Sequence, residues 1–148
     1  MVDYKFFHFP IIRIAGFSIF NNFHLVFKEY KEQYDKNAWN TTEIGSVIND
    51  FVDDGNAADM AFVIPYPHWV DTRLVGINAG YPGKDYALWN VEIGNSLILD
   101  ETKIFIYKLE DYETQAVLLD IYPEGEQSIF YSKTPGKEFV IYTVEGHK

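Results

Sequence analysis

Three short apolar runs alternate with segments of helical periodicity, and that alternation most narrows the fold. The runs are "MAFVIPY" at 60–66, "KDYALW" at 84–89 and "TKIFIYKL" at 102–109. Each is too short for a buried helix and rich in strand-forming side chains. In the third, Ile104 and Ile106 alternate with Phe105 and Tyr107, so both faces of a sheet gain side chains to bury. The helical segments lie around them. Ile44, Val47, Ile48, Phe51 and Val52 form a stripe behind "NTTE" at 40–43, where Asn40 is suited to accept from first-turn amides with Glu43 reaching back. Gly55 in "DDGN" suits a left-handed exit. Val70, Leu74 and Ile77 suggest a short helix from Pro67 to near Gly80. Asp111 caps a helix carrying Val117, Leu118 and Ile121, which Pro123 and Gly125 stop. "EQSIFYSK" and "KEFVIYTV" flank "TPG" as a hairpin. The pattern predicts an α/β class: a small three-layer domain with a mainly parallel sheet and a C-terminal β-hairpin. Residues 60–66, 84–89 and 103–108 are expected as neighbouring strands.

Ahead of this lies an aromatic stripe, Phe20, Phe23, Phe27, Tyr30 and Tyr34, spaced as one face of a helix over about 20–36 and expected to pack inward. "FFHFPIIRIAGFSIFNNF" is hydrophobic, but His8, Pro10 and Arg13 interrupt it before it reaches the roughly 20 apolar residues of a membrane span. The stretch is suited either to the tail of a membrane helix or to a buried segment, and an apolar patch around Ile11, Ile12 and Phe17 is expected, exposed or covered by another copy.

Charge excludes some partners. The net charge is −10, with +1 on residues 1–40 and −11 on 41–148. A nucleic-acid partner needs a basic footprint, and an anionic membrane surface repels an acidic body. The chain has no cysteine, so disulfides and cysteine-rich zinc sites are excluded. His8, His24, His68 and His147 stand singly, without metal-ligand spacing. No phosphate-binding loop, dinucleotide fingerprint or nucleophile elbow is present, and "GINAG" at 76–80 follows a helix rather than a strand. No cofactor and no metal are expected.

The one dense polar group lies in "PYPHWVDTR" at 65–73. In an open α/β sheet, ligands bind beyond the carboxyl ends of the strands, and this stretch follows the first of them. Tyr66, His68, Trp69, Asp71 and Arg73 are the candidate binding residues. Arg73 is suited to clamp a phosphate or carboxylate, and Tyr66 or Trp69 to stack on a sugar face. A purely structural assignment competes: Asp71 as a cap or a partner of Arg73, Trp69 as a core plug, His68 bonded to a backbone carbonyl. Asn40-Thr41-Thr42 also matches a glycosylation pattern, which the helix cap explains without a glycan.

"WNTTEIG" (39–45), "VIPYPHWVDTRLVGINAG" (63–80) and "KDYALW" (84–89) resemble the soluble tail of large bacterial membrane glycosyltransferases similar to the dolichyl-phosphate-mannose–protein mannosyltransferase family. "FNNFHLVFKEYKEQY" (20–34) resembles the segment leaving the last membrane helix, and "TPGKEFVIYTV" (134–144) the closing hairpin. The resemblance implies a membrane-proximal segment at 1–19 and a single extracytoplasmic domain at 20–148, at the cell membrane. It also implies a lipid-phosphate-linked sugar donor and, as partners, the membrane-embedded part of the same polypeptide and a glycan acceptor or the carrier. The family's catalytic carboxylate lies in an extracytoplasmic loop near the start of its membrane portion, so no catalytic residue carries over to this chain, which is expected to be inactive alone. The rival expectations are a free-standing carbohydrate- or small-anion-binding module, and a small cytosolic enzyme with His68 as general base.

Overall fold

A computed structural model describes residues 18–23, 25–29 and 40–146. The chain divides into two compact units, Met1–Ala38 and Trp39–Lys148. In the first, residues 18–23 are helical and Leu25–Glu29 form a π-helical turn. Phe20, Phe23 and Phe27 are each more than half exposed, against the expected inward packing. Periodicity shows that a face is apolar, not what covers it. Tyr30, Tyr34, Ile11, Ile12 and Phe17 lie outside the described residues.

The second unit carries the sheet. Its elements are α1 (Thr41–Asp53), a 3-10 turn (Ala58–Met60), β1 (Ala61–Val63), α2 (Thr72–Asn78), a 3-10 segment (Asn90–Ile98), β2 (Lys103–Lys108), α3 (Tyr112–Ile121), β3 (Glu126–Phe130) and β4 (Phe139–Val144). The strand order is β1-β2-β4-β3. β1 pairs parallel with β2, while β4 pairs antiparallel with both β2 and β3. Three strands therefore run one way and β4 alone is reversed. Because β4 sits between β2 and β3, the sheet is mixed by pairing, where a mainly parallel one was expected. The run "FVIYTV" suits that central place, since it is apolar but for Thr143, and "EQSIF" suits an edge.

The apolar run at 60–66 supplies only three strand residues, although Ile64 N still donates to Ile106 O (2.9 Å). The run at 84–89 reduces to one parallel bridge, Val63 to Ala87, held by Val63 N to Tyr86 O (2.8 Å) and Leu88 N to Val63 O (3.1 Å). These bonds leave β1 on the edge opposite β2. Residues 86–88, β1 and β2 are thus neighbours in parallel, as the alternation predicted.

Both faces of the sheet are covered. Ala61, Val63, Ile104, Ile106 and Phe139 pack with Ile44, Ile48 and Phe51 of α1, Val75 of α2 and Ala79 just after it. Ile64, Phe105, Tyr107, Val140 and Tyr142 pack with Leu118 of α3, Tyr122, and Ile93 of the 3-10 segment. The three-layer α/β fold follows from the alternation of side chains along β2 and β4.

Two local expectations change. α2 begins at Thr72, not Pro67, so its phase shifts: Val75, Gly76 and Ala79 are buried while Leu74 and Ile77 are exposed. Asn40 precedes α1 but makes no side-chain cap. Its buried amide instead donates to Lys137 O (2.6 Å) and Glu43 Oε2 (3.1 Å). A glycan on that nitrogen is incompatible with this burial. Gly55 does take the left-handed exit, at φ +94°.

Candidate functional site

β1 leads to α2 on one face of the sheet, and β2 leads to α3 on the other. Adjacent parallel strands whose following helices part to opposite faces leave a crevice at their carboxyl ends, the usual ligand position in open α/β sheets. A cleft of about 500 Å³ lies there, lined by Pro65, Tyr66 and Pro67 after β1, Trp89, Asn90 and Val91 after the bridging segment, and Asp111 and Glu113 after β2. Each wall belongs to a different loop, so only the folded sheet brings them together.

The five residues expected as a site separate. Tyr66 lines the cleft, with Lys108 Nζ 4.8 Å from its ring centre. Trp69 is buried in the α1–α2 core and has no face left for a ligand. His68 is exposed at φ +55°, a left-handed conformation that costs a non-glycine residue free energy. Asp71 is the N-cap of α2, accepting from Arg73 N (2.9 Å) and Leu74 N (3.3 Å). Arg73 does not line the cleft. Its Nε meets Asp85 Oδ2 at 3.3 Å, and its side chain is 82% exposed.

Asp85 is the hub of this brace. It accepts from Thr72 Oγ1 (2.6 Å) and Ala87 N (3.1 Å) as well as Arg73. The Thr72 hydroxyl holds its carboxyl below the usual range against the opposing effect of burial, with lesser help from the Ala87 amide and the Arg73 guanidinium. Most of "HWVDTR" therefore fixes α2 to the bridging segment, while "PYP" forms a cleft wall. Asp71→Ala is expected to cost about 1 kcal/mol as a lost cap. Arg73→Ala should cost less than about 0.5 kcal/mol, because its ion pair is solvated. Urea midpoints measure both, and equal losses would contradict this division of roles.

Among the cleft residues that the sequence reading did not single out, Trp89 has the largest side chain. It ends the run "KDYALW", at the carboxyl end of the second apolar segment, and the strand-end rule applied to that segment points to it. Its indole is 59% exposed. The main chain is fixed by Glu92, whose Oε2 accepts from Trp89 N (3.3 Å) and whose N donates to Trp89 O (2.8 Å).

A second cavity, about 400 Å³, opens at the other end of β2 and includes Lys103, Tyr122 and Glu124. Lys103 is buried; its Nζ donates to Ser96 O (3.1 Å) and Leu99 O and faces the Tyr122 ring at 5.3 Å. Burial pushes its pKa down, and Asp100 and Glu101 oppose that shift. Ser96 Oγ donates to Ile93 O (2.6 Å), so the 2.6 Å contact with Tyr122 has the phenol as donor. Tyr142 OH then donates to Tyr122 O (2.6 Å). These bonds staple the end of the 3-10 segment to α3 and β4, which accounts for the lysine structurally.

Among the described residues no group of His, Asp or Glu is arranged to hold a metal ion, and no helix is long and apolar enough to cross a membrane. His8, His24 and His147 lie outside the described residues. No family model, curated protein or solved structure matches this chain.

Proposed function

We propose that this chain is the extracytoplasmic α/β domain of a polyprenyl-phosphate-sugar-dependent membrane glycosyltransferase, serving acceptor or carrier recognition and not catalysis. The observation that carries a recognition role is the cleft at the switch point, walled by Tyr66 and Trp89. Two of the segments that carry the sequence resemblance, 63–80 and 84–89, contribute Pro65, Tyr66, Pro67 and Trp89 to its walls. The same observation favours one rival, a free-standing carbohydrate-binding module, since the second unit has a core on both faces of its own sheet.

The test is transfer from a polyprenyl-phosphate sugar, assayed on membranes holding the full natural protein and on the purified 148-residue chain. Transfer is expected only from the membranes. Turnover by the isolated chain, together with its loss in His68→Ala, supports the small-enzyme alternative and overturns this reading. A natural protein without membrane spans and without transfer supports the free-standing module.

A further inference from the structure

We infer that the switch-point cleft binds a neutral sugar, with the Trp89 indole as its stacking platform, and does not bind the phosphate of a lipid-linked donor. The inference rests on the reading above only in making that sugar the acceptor. Three observations carry it.

The first is the bare indole. A tryptophan usually buries most of its large apolar surface, as Trp69 does in the core. Trp89 instead leaves 59% of its surface exposed on the wall of a cleft. The C–H face of a pyranose ring is apolar and matches such a platform. The adjoining wall is stiff, because Pro65 and Pro67 fix their φ angles on either side of Tyr66. Little ordering is left to be done on binding.

The second is charge. The cleft wall includes the carboxylates Asp111 and Glu113 and no lysine or arginine. The nearby cation, Lys108, is committed to the Tyr66 ring and to Glu110 Oε2 (3.6 Å). A phosphate would enter next to two negative charges without a clamp. The cation position over the Tyr66 ring is already occupied from within the chain.

The third is hydrogen-bond direction. Thr114 Oγ1 lies 2.6 Å from Asp111 Oδ2 and 2.8 Å from Asn90 Oδ1. One hydroxyl proton cannot serve both, and the carboxylate is the stronger acceptor. With the Asn90 amide turned over, its NH2 group donates to Thr114 Oγ1 and its carbonyl oxygen is released from that contact. Amide ends are near-isosteric, so the turn costs no packing. The polar groups of the cleft wall are then the Asn90 amide and the Asp111 and Glu113 carboxylates, beside the aromatic Tyr66 and Trp89. A ligand that supplies donors and one apolar face is a polyol ring.

The experiment titrates the 148-residue chain with neutral gluco-, manno- and galacto-configured trisaccharides, and separately with hexose 1-phosphates and with choline. Calorimetry and tryptophan fluorescence are the readouts. At least one neutral trisaccharide is expected to bind and to shift the emission. Trp89→Ala should weaken that binding at least tenfold, Trp89→Phe less, with urea midpoints unchanged. Asn90→Leu should weaken it as well. Absence of binding by every neutral sugar, tighter binding of the phosphates or of choline, or full binding by Trp89→Ala overturns the inference. Failure of the functional reading looks different: sugars bind through Trp89, yet the natural protein transfers none.

Discussion

Gly76→Ala is expected to destabilise the second unit by about 3 kcal/mol, the upper part of the range for forcing an extra methyl group into a packed site. A Cβ at Gly76 would lie far inside van der Waals contact with Lys84 O and 3.0 Å from Tyr81 O. Both are backbone atoms, so no rotamer change relieves the clash. The loop cannot readily retreat either. Tyr81 N donates to Gly76 O (2.8 Å), Lys84 N donates to Tyr81 O (3.0 Å), and Lys84 Nζ is tied to Ala58 O (2.6 Å) and to Asp59. Gly83→Ala is the control, because nothing lies within 4 Å of a Cβ there. Its effect should stay within about 0.5 kcal/mol, the usual scale for surface changes. Urea denaturation separates the two, and similar midpoints would mean that the turn at 76–84 is looser than its bonds imply. The contact also bears on the cleft: displacing residues 81–84 moves the bridging segment that ends in Trp89, so partly folded Gly76→Ala should bind sugar more weakly.

The elements legible in the sequence were those fixed by neighbours along the chain. Asp111 read as a cap and is one, accepting from Thr114 N at 3.1 Å. Ile104 and Ile106 face one core and Phe105 and Tyr107 the other, as their alternation required. The hairpin around "TPG" formed with Gly136 at φ +79°. What escaped was set by distant partners. Nothing local says that β4 inserts between β2 and β3, and that choice made the sheet mixed. Asn40 carries a helix-start signature, but the Lys137 carbonyl, remote in sequence, recruits its amide. α2 was misphased because Pro67 looked like its start, while Asp71, four residues on, provides the cap.

The site was half legible for the same reason. The strand-end rule located the cleft from the order of elements, and Tyr66 lies on its wall. Composition alone could not tell an exposed indole on a cleft wall from a core indole. Trp69 follows β1 toward α2 and is drawn under that helix, whereas Trp89 ends a segment paired through a single bridge and remains at the rim. The dense polar motif drew attention to its charges, yet Asp71 and Arg73 hold the turn, and the less conspicuous Pro65-Tyr66-Pro67 and Trp89-Asn90-Val91 form the walls.

Stability should be kept up to about pH 10 and fall steeply between pH 10 and 12. Burial raises the Tyr86 and Tyr107 phenols from 10.0 to about 12, with smaller contributions from Tyr81 and Asp59 at Tyr86 and from Tyr142 and Asp111 at Tyr107. Tyr122 and Tyr142 are also raised by burial. In the unfolded chain these phenols lose their protons near pH 10, while in the fold they keep them. The folded state therefore binds more protons in that window, and stability drops with rising pH. Tyr86 and Tyr107 should each account for a loss on the order of 2 kcal/mol by pH 12. Lys103 works in the opposite sense. Its folded pKa is lowered, so the burden of burying its charge is present at neutral pH and is relieved as pH rises toward 10.5. Together they give a stability that rises gently and then falls. Tyr86→Phe isolates one contribution. Its hydroxyl is buried with no hydrogen-bond partner among the described residues, so its removal should leave stability at pH 7 equal or higher. The same variant should shallow the fall above pH 10, and adding Tyr107→Phe should shallow it further, although that hydroxyl donates to Gln127 Oε1 (3.4 Å). Urea midpoints at intervals from pH 7 to 12 measure the curve. An unchanged alkaline limb in the double variant would place its cause outside these two phenols.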